Sequence, residues 1–438
     1  MYNLNIIGGV IKMEENKNSK SIIFSIVAVL LIVVVVAGAT YAYFASSSST
    51  AKQEIKTGSL AMGFTNGEFL RADSLMPISD SEIKTKAAEL DFSVTNEGTE
   101  HMNLTISLTD IEISDDLKDV DFRWGLYNKD KDLGIAFGIF KDIGTNTSVT
   151  LLTDTIIDAV LDENEEDITK NYTLRVWIHD DGANQNYMQG ETFSAKVTVD
   201  GEPISYTPES CFGFNSSTGT VTSYDYETCG VAGVDVVIPK SIDGVAVTTI
   251  GSSFWSTGDG LPWGTDEYIE SMILPDTITK INDEGIYYFA AASESEITIP
   301  ESVITIGNSG FSASLARNIP ESITTIGSYA FYGNISAVIP GSITSLSEGA
   351  INESSAENII LMEGINEIQD YALSGNYYVT SIEIPSSVTT IGSNAFADNE
   401  YLTEIIVRGK TSAPATFDEN WNCKDYDCTE RYNVVFRP

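Results

Sequence analysis

Two histidines are the strongest bases in the chain that could act near neutral pH, and neither stands in a recognisable catalytic motif. His101 and His179 both fall in or beside segments with strand-like alternation. A serine nucleophile needs an activating base, and the sequence has no G-x-S-x-G, Walker loop or H-E-x-x-H pattern. The sequence therefore predicts a protein that is not an enzyme, with an unrecognised hydrolase as the remaining catalytic alternative.

Metal binding has two candidate segments. His179 in "WIHDDGANQN" could act with Asp180 and Asp181, but a histidine beside a polar turn is more often solvated. The acidic segment "DENEEDITKN", residues 162–171, has carboxylates that suit Ca²⁺ but lacks the spacing of a calcium loop. We therefore expect a charged surface loop there, with Ca²⁺ as the cofactor left open.

Four cysteines lie in the second half of the chain: Cys211, Cys229, Cys423 and Cys428. An even number in an exported chain favours disulfides, and four cysteines allow three connectivities. We favour Cys211 with Cys229 and Cys423 with Cys428, because each pair closes a local loop. A shared metal site would need all four to converge from opposite ends of an elongated repeat array.

The N-terminal segment predicts export. Residues 1–21 contain several lysines, with Met13 as a second candidate start, and they precede an apolar segment at 22–44. That segment is long enough to span a bilayer, and the lysines favour a cytoplasmic N-terminus. It is either a signal peptide, cleaved after Ala39 or Ala42, or a retained membrane anchor.

A repeated phrase dominates residues 235–410. The copies "IPESVITIGNSGF" and "IPESITTIGSYAF" begin at Ile299 and Ile319, and the anchor position after the first isoleucine recurs with spacings of 25, 20, 20, 22 and 23 residues. The anchor residues are Pro275, Pro300, Pro320, Pro340, Met362 and Pro385, with Pro239 before them. A period of this length, with aliphatic residues at fixed offsets, predicts a solenoid of the leucine-rich-repeat type.

Each residue type in the phrase has a predicted role. The "I-x-I-P" element places two aliphatic residues on one face of a short strand, and the proline ends it. The glycine of "TTIG" is expected to take a positive φ, and the later phenylalanine to fill the coil.

The phrase "IPSSVTTIGSNAFADNEYLTEIIV", residues 384–407, resembles the BspA-like leucine-rich repeat of bacterial surface proteins, and the resemblance covers roughly 234–407. It implies a non-enzymatic protein at the cell surface that uses its repeats for recognition. Arg317 departs from the pattern, since its neighbours carry isoleucine at that offset.

Residues 45–203 show strict alternation of apolar and polar residues, which is typical of half-buried strands. Seven or more such segments predict an antiparallel β-sandwich of jelly-roll or immunoglobulin-like topology. The alternating segments are 60–64, 90–94, 102–108, 122–126, 135–139, 172–178 and 193–199.

Two stretches, "AGATYAYFASSSSTAKQEIKTGSLAM" and "YTLRVWIHDDGANQNYMQGETFSAKVTV", resemble the TasA and camelysin family of Gram-positive bacteria. This resemblance implies an exported domain behind a special-peptidase signal, and cleavage after Ala42. Some relatives assemble into extracellular fibres, so self-assembly through the sandwich is a second expectation.

The ends of a solenoid need covers, because an open end exposes core and strand edges. Residues 204–234 are expected to form a linker and an N-terminal capping hairpin, and residues 411–438 a C-terminal cap. The fold class predicted is therefore mainly β: a signal or transmembrane helix, a β-sandwich and a capped repeat solenoid.

Charge limits the partners. The chain carries 63 acidic and 24 basic residues, a net charge of −39. This field repels nucleic acid and anionic membrane surfaces. The expected partner is a protein or glycan at the cell surface, with the membrane contacted only through an uncleaved N-terminal helix.

Two residue sets are candidates for the binding surface. One is the column that would point outward between the paired isoleucines, and the other consists of tyrosines in the variable connections. Cover of the column by another part of the coil is the favoured alternative, and some tyrosines must pack internally. The column is Ile273, Thr298, Asn318, Val338, Ile360 and Glu383, and the main tyrosines are Tyr332, Tyr377 and Tyr378.

These features predict an exported recognition or adhesion protein of a Gram-positive type of bacterium, extracellular or held at its surface. The alternative is a structural subunit of an extracellular matrix fibre, assembled through the sandwich.

Overall fold

The structure is a computed structural model. It describes residues 4–7, 10–13, 62–65, 69–73, 75–159, 168–229, 235–254, 271–287, 297–312, 316, 318–333, 338–354 and 356–438. The apolar segment 22–44, the cleavage candidates Ala39 and Ala42, and Arg317 lie outside these residues. Within them, no helix has the length and apolar character needed to cross a membrane.

Strands dominate the described residues, and helices are single turns. A short antiparallel hairpin, β1 (Leu4–Ile7) with β2 (Val10–Met13), comes first. The α-helical turns are α1 (Ile83–Lys86) and α2 (Tyr226–Cys229). The 3₁₀ turns are Asp80–Glu82, Asp115–Leu117, Lys141–Ile143, Asn186–Met188 and Glu209–Cys211.

Residues 62–204 form two antiparallel sheets, which we call the two-sheet unit. Its strands are β3 (Met62–Thr65), β4 (Phe69–Asp73), β5 (Ala88–Asn96), β6 (His101–Ile113), β7 (Phe122–Asn128), β8 (Leu133–Ile139), β9 (Val149–Ile157), β10 (Thr169–Ile178) and β11 (Thr192–Ile204). One sheet has the order β3-β5-β10-β7-β8 and the other β4-β11-β6-β9. Both sheets contribute to one apolar cluster, which includes Leu104 of β6 together with Val176 and Ile178 of β10.

Burial distinguishes the strands of the five-stranded sheet. Along β5, and along β6 of the other sheet, the burial alternates with the side-chain direction, as expected when one face packs on the core. Six consecutive residues of β7 and the last seven of β10 are buried instead. The outer face of this sheet is therefore covered as well.

The solenoid contains two parallel ladders of short strands. The first ladder consists of the "I-x-I-P" strands β14 (Val236–Val237), β18 (Met272–Ile273), β22 (Val338–Ile339), β24 (Ile359–Leu361), β26 (Ser381–Ile384), β28 (Glu404–Arg408) and β29 (Asn433–Arg437). Between β18 and β22, an isolated parallel bridge joins Ile297, three residues before its anchor, to Ala316, four residues before its anchor. Between β14 and the next coil, β15 (Ser241–Ile242) and β16 (Val245–Ala246) form a small hairpin.

The second ladder consists of the "T-I" strands. It begins with the hairpin β12 (Phe212–Asn215) and β13 (Thr220–Tyr224), continues through β17 (Thr249–Ile250), β19 (Lys280–Ile281), β20 (Thr305–Ile306) and β21 (Thr325–Ile326), and resumes in β23 (Ser345–Leu346), β25 (Glu367–Ile368) and β27 (Thr390–Ile391). Inside the coils, the aliphatic residues and phenylalanines of the repeat form one continuous cluster. Stacking therefore buries what a single coil could not.

The glycine of "TTIG" does not take the positive φ expected of it. A Cβ on Gly307, Gly327 or Gly392 would lie within 2.6 Å of backbone of the preceding coil, so close stacking explains these glycines. The positive φ falls two residues later, on Ser309 and its equivalents. The equivalents are Glu284, Tyr329, Gly349, Tyr371 and Asn394, with φ between 49° and 60° in the whole set.

Buried asparagines add a polar ladder to the later coils. The side chain of Asn376 donates to the carbonyls of Ile351 and Leu373 and accepts from the N–H of Ser354. Asn399 repeats this role one coil later, and its Oδ1 accepts from the N–H of Asn376. These bonds satisfy backbone groups that the irregular connections would otherwise leave buried and unpaired.

Disulfides lie at both ends of the solenoid. Cys211 pairs with Cys229 beside the hairpin of β12 and β13, and Cys423 pairs with Cys428 beyond the last T-I strand. These are the two local pairs favoured by the sequence, and they leave no cysteine for the alternative metal site. At the C-terminal end, Phe417 bridges to Ile391 and packs with Trp421 over the last coil.

Candidate functional site

The two-sheet unit packs against the first ladder of the solenoid, and we call this contact the junction. Tyr127 and Trp177, each 2% exposed, form an apolar cluster with Val338 and Ile360 of the solenoid. A second cluster joins Ile156 to the first coils. Its solenoid members are Val237 and Ile273.

Polar contacts fill the middle of the junction. Asn318 Nδ2 donates to the carbonyl of Ile135 at 2.9 Å. Glu301 accepts from Asn128 Nδ2 at 2.7 Å and from Lys131 Nζ at 3.0 Å. A cavity of about 50 Å³ beside these residues has the volume of one or two water molecules.

Ion pairs extend the junction to both ends of the solenoid. Near the first coils, Asp276 lies 3.1 Å from Lys170 of the two-sheet unit and 2.8 Å from Lys240. Near the last coil, Arg437 Nη1 donates to Asp181 Oδ2 at 2.7 Å. The junction therefore spans the length of the first ladder.

His179 lies within the junction and is 7% exposed, so the expectation of a solvated histidine is wrong. Its Nδ1 lies 3.0 Å from Asp80 Oδ1 and its Nε2 lies 3.1 Å from Glu383 Oε1. Arg408 also donates to Glu383, at 3.0 Å. The imidazole thus connects a carboxylate of each unit, and the second Asp80 oxygen accepts from the N–H of Glu363.

Burial and charge shift the pKa values around His179. Burial and the nearby Arg123 oppose its charged form, but the hydrogen bonds to Asp80 and Glu383 outweigh them and raise the pKa of His179 above 6.5. Burial would raise the pKa of Asp80, yet the bond to His179 holds it at about 2. Burial raises the pKa of Asp121, next to Arg123, to about 6.

The junction is expected to be less stable at alkaline pH. Protonated His179 contributes stability that is complete below pH 6.5 and is lost as the pH rises through its raised folded pKa. Ionisation of Asp121 lowers the stability of the folded protein as the pH rises from 3.8 through about 6. The stabilising contribution of ionised Asp80 is lost only as the pH falls from 3.8 towards about 2. Calorimetry between pH 5 and 9 should show a falling Tm, and a smaller fall in His179→Gln. Parallel pH profiles for the two proteins would contradict this assignment.

The predicted column does not face solvent, and its assignment as an exposed binding surface is wrong. Five of its members, Ile273, Thr298, Asn318, Val338 and Ile360, are at most 7% exposed, and Glu383 is half-buried. The cover is the two-sheet unit rather than another part of the coil. Single-sequence periodicity places the column correctly but carries no information about a second domain that packs on it.

The predicted tyrosines lie elsewhere on the coils. The repeat residues that contact the two-sheet unit lie between four residues before and one residue after each anchor. The predicted tyrosines lie twelve to sixteen residues after the anchor. Tyr377 is 44% exposed and Tyr378 is 56% exposed, while Tyr332 is half-buried and hydrogen-bonds to Glu353. Tyr401 and Tyr426 are each more than half exposed, and they lie on the neighbouring coil and in the C-terminal segment 411–438.

The other histidine and the described part of the second metal candidate, the acidic segment, lie away from His179. His101 contacts Asp158 at 3.1 Å and the ring of Tyr206 at 4.8 Å between centroids, so it has structural partners. Of the acidic segment 162–171, residues 162–167 lie outside the described part, and Lys170 pairs with Asp276. Among the described residues, no group of three or more His, Cys, Asp or Glu side chains is placed to hold a metal ion.

Solved structures provide three comparisons. A leucine rich cell surface protein from Faecalibacterium prausnitzii A2-165 is 25% identical, with 50% of this chain aligned to 57% of that one and a TM-score of 0.38. The T. pallidum leucine rich repeat protein is 19% identical over 40% of this chain and 91% of that one, with a TM-score of 0.28. A leucine-rich repeat protein from Bacteroides ovatus is 18% identical over 54% and 70%, with a TM-score of 0.33.

Family models and curated proteins were compared as well. No curated protein matches the chain. The family model described as "BspA type Leucine rich repeat region" matches residues 265–337 and 316–420, in six copies. Residues 265–420, which include most coils of the solenoid, therefore match the BspA-type leucine-rich repeat region.

Proposed function

We propose that this chain is a cell-surface recognition protein whose solenoid binds an external partner through its tyrosine-bearing turns. The observation that carries the proposal is the division of the coil surface. The first ladder is used internally at the junction, while tyrosines several residues further along each coil are exposed. Tyrosine supplies a large contact area at low entropic cost, which suits recognition.

The remaining parts of the proposal concern export and organisation. Residues 1–21 and 22–44 would direct the chain out of the cell, as a signal peptide or an anchor, and the two-sheet unit would be a β-sandwich of the TasA and camelysin type spanning 45–203. Residues 204–234 and 411–438 would cap the solenoid of residues 235–410. The two-sheet unit would then hold the solenoid rigidly at the bacterial surface.

The proposal is tested in bacterial cells that produce the full chain. An antibody against the solenoid should label intact cells, and these cells should adhere to immobilised extracellular protein or glycan more than cells lacking the chain. Label that appears only after permeabilisation would refute surface exposure. Concentration-dependent polymers of the purified full chain, without adhesion, would favour the fibre-subunit function instead.

A further inference from the structure

The coils that carry the exposed Tyr377, Tyr378 and Tyr401 have a large excess of negative charge. Residues 318–407 contain eleven acidic residues and no lysine, arginine or histidine. The nearest basic residue on the C-terminal side, Arg408, is paired with Glu383 at the junction. These coils therefore supply no basic side chain of their own to neutralise the carboxylates on their turns.

Tyrosines and carboxylates lie side by side on these turns. The rings of Tyr371 and Tyr426 are 5.8 Å apart between centroids, at an angle of 56°. A side-chain hydrogen bond joins Asp398 and Tyr426. Burial raises the pKa of Tyr426, and the charges of Asp398 and Glu353 raise it further. We call Tyr371, Tyr377, Tyr426, Glu353 and Asp398 the tyrosine face.

Backbone geometry fixes this arrangement. The N–H of Glu353 donates to Ser374 and the N–H of Asp398 to Lys424, so successive turns stack in register. Glu353 and Asp398 both have a positive φ, 54° and 55°, at equivalent positions of their coils. The face is therefore built on a rigid scaffold rather than on long loops, which reduces the entropy lost on binding.

We propose that the tyrosine face binds a lysine- or arginine-rich segment of a protein partner. Cationic side chains would lie over the faces of Tyr377 and Tyr426 and pair with the carboxylates of Glu353 and Asp398. A cation is attracted to the negative face of an aromatic ring as well as to a carboxylate, so both residue types of the face favour the same partner. This inference rests on the proposed function and specifies the chemistry of its partner.

Charge decides between a basic protein and a glycan. Tyrosine rings alone would suit a sugar equally well, since both ligands use the ring face. A neutral glycan gains nothing from the field of coils with eleven acidic residues and no basic ones, whereas a basic segment is both steered and held by it. The glycan is therefore an outcome of the test rather than the proposal.

The test uses the full exported chain and a fluorescent peptide of alternating lysine and glycine. Binding at moderate salt should weaken roughly tenfold in the double variant Tyr377→Leu with Tyr426→Leu. The matched double variant with phenylalanine keeps both rings and should bind nearly as the wild type does. The control is Tyr187→Leu, which removes the ring of a tyrosine that is 48% exposed on the two-sheet unit, away from the tyrosine face.

A second pair of variants separates the face from the general negative charge. The double variant Glu353→Gln with Asp398→Asn should weaken peptide binding strongly. The control double variant Glu112→Gln with Asp116→Asn removes the same charge from the exposed surface of the two-sheet unit. Its affinity for the peptide should change less than about twofold. Equal losses of peptide affinity in the two double variants of acidic residues would overturn the proposal. Unchanged affinity in the double leucine variant would overturn it as well. Tyrosine-dependent binding to immobilised glycans without peptide binding would also overturn it. Adhesion of cells that survives all of these changes would leave the proposed function standing and exclude this face.

Discussion

Replacing Ile360 with Asp is expected to separate the two-sheet unit from the solenoid while the coils stay folded. The side chain of Ile360 points out of the first ladder into the cluster with Trp177 and Tyr127, and it is 7% exposed. A carboxylate there would be buried without a partner, at a cost of roughly 3–5 kcal/mol to the junction. Its neighbours Ile359 and Leu361 point into the coil and keep its core. Small-angle scattering should show a larger radius of gyration, and calorimetry should resolve two transitions.

The matched control is Tyr378→Asp, which introduces the same charge at a residue that is 56% exposed. This variant should keep the radius of gyration of the wild type. If Ile360→Asp also kept a compact shape and one transition, the junction would not depend on the apolar cluster. Loss of all β structure in Ile360→Asp would instead show that the coils cannot fold without the two-sheet unit.

Truncating Phe331 to alanine is expected to destabilise the solenoid by about 3–5 kcal/mol. Phe331 is fully buried, and its ring centroid lies 6.3 Å from that of Phe311 in the preceding coil. Alanine leaves a cavity that the stacked coils cannot close, because backbone hydrogen bonds hold each coil in register with both neighbours. Two such bonds run from the N–H of Phe311 to the carbonyl of Ala330 and from the N–H of Phe331 to the carbonyl of Ala350.

Chemical denaturation monitored by circular dichroism measures this loss. Tyr378→Ala should change the free energy of unfolding by less than about 0.5 kcal/mol, since its ring lies on the surface. A Phe331→Ala variant as stable as Tyr378→Ala would contradict a continuous core through the coils.

Periodicity predicts the solenoid because each coil solves the same packing problem with the same residue types. The isoleucines of "I-x-I-P" and "T-I" form the two ladders, and each of the seven alternating segments of the N-terminal half overlaps a strand. Strands β4 and β9 were missed, since "FLRAD" and "VTLLTDTII" alternate less regularly. The positive φ predicted for the glycine of "TTIG" is wrong, because the close approach of the preceding coil cannot be seen in a single repeat.

The junction could not be predicted from patterns that treat each domain alone. A signal for it exists in "LRVWI" and "FRWGLYN", where large residues occupy both faces of β10 and β7. Such continuous runs are typical of strands buried on both sides. Read together with three apolar residues in the outward column, they indicate that the two surfaces cover each other. The contact between His179 and Glu383 cannot be predicted from the sequence pattern, because the two residues are 204 positions apart and meet only in the folded protein.

The central claim is that the two-sheet unit covers the first ladder while the tyrosine-bearing turns are exposed to solvent. Hydroxyl-radical footprinting of the full-length protein tests this claim most directly. The reagent modifies exposed aromatic and sulfur-containing side chains. We expect rapid modification of Tyr377, Tyr378 and Tyr426 and far slower modification of Tyr127, Trp177 and Met362, which form the junction cluster. If Trp177 and Met362 were modified as fast as Tyr378, this claim would be contradicted. The outward column of the first ladder would then be exposed and would again be the candidate binding surface.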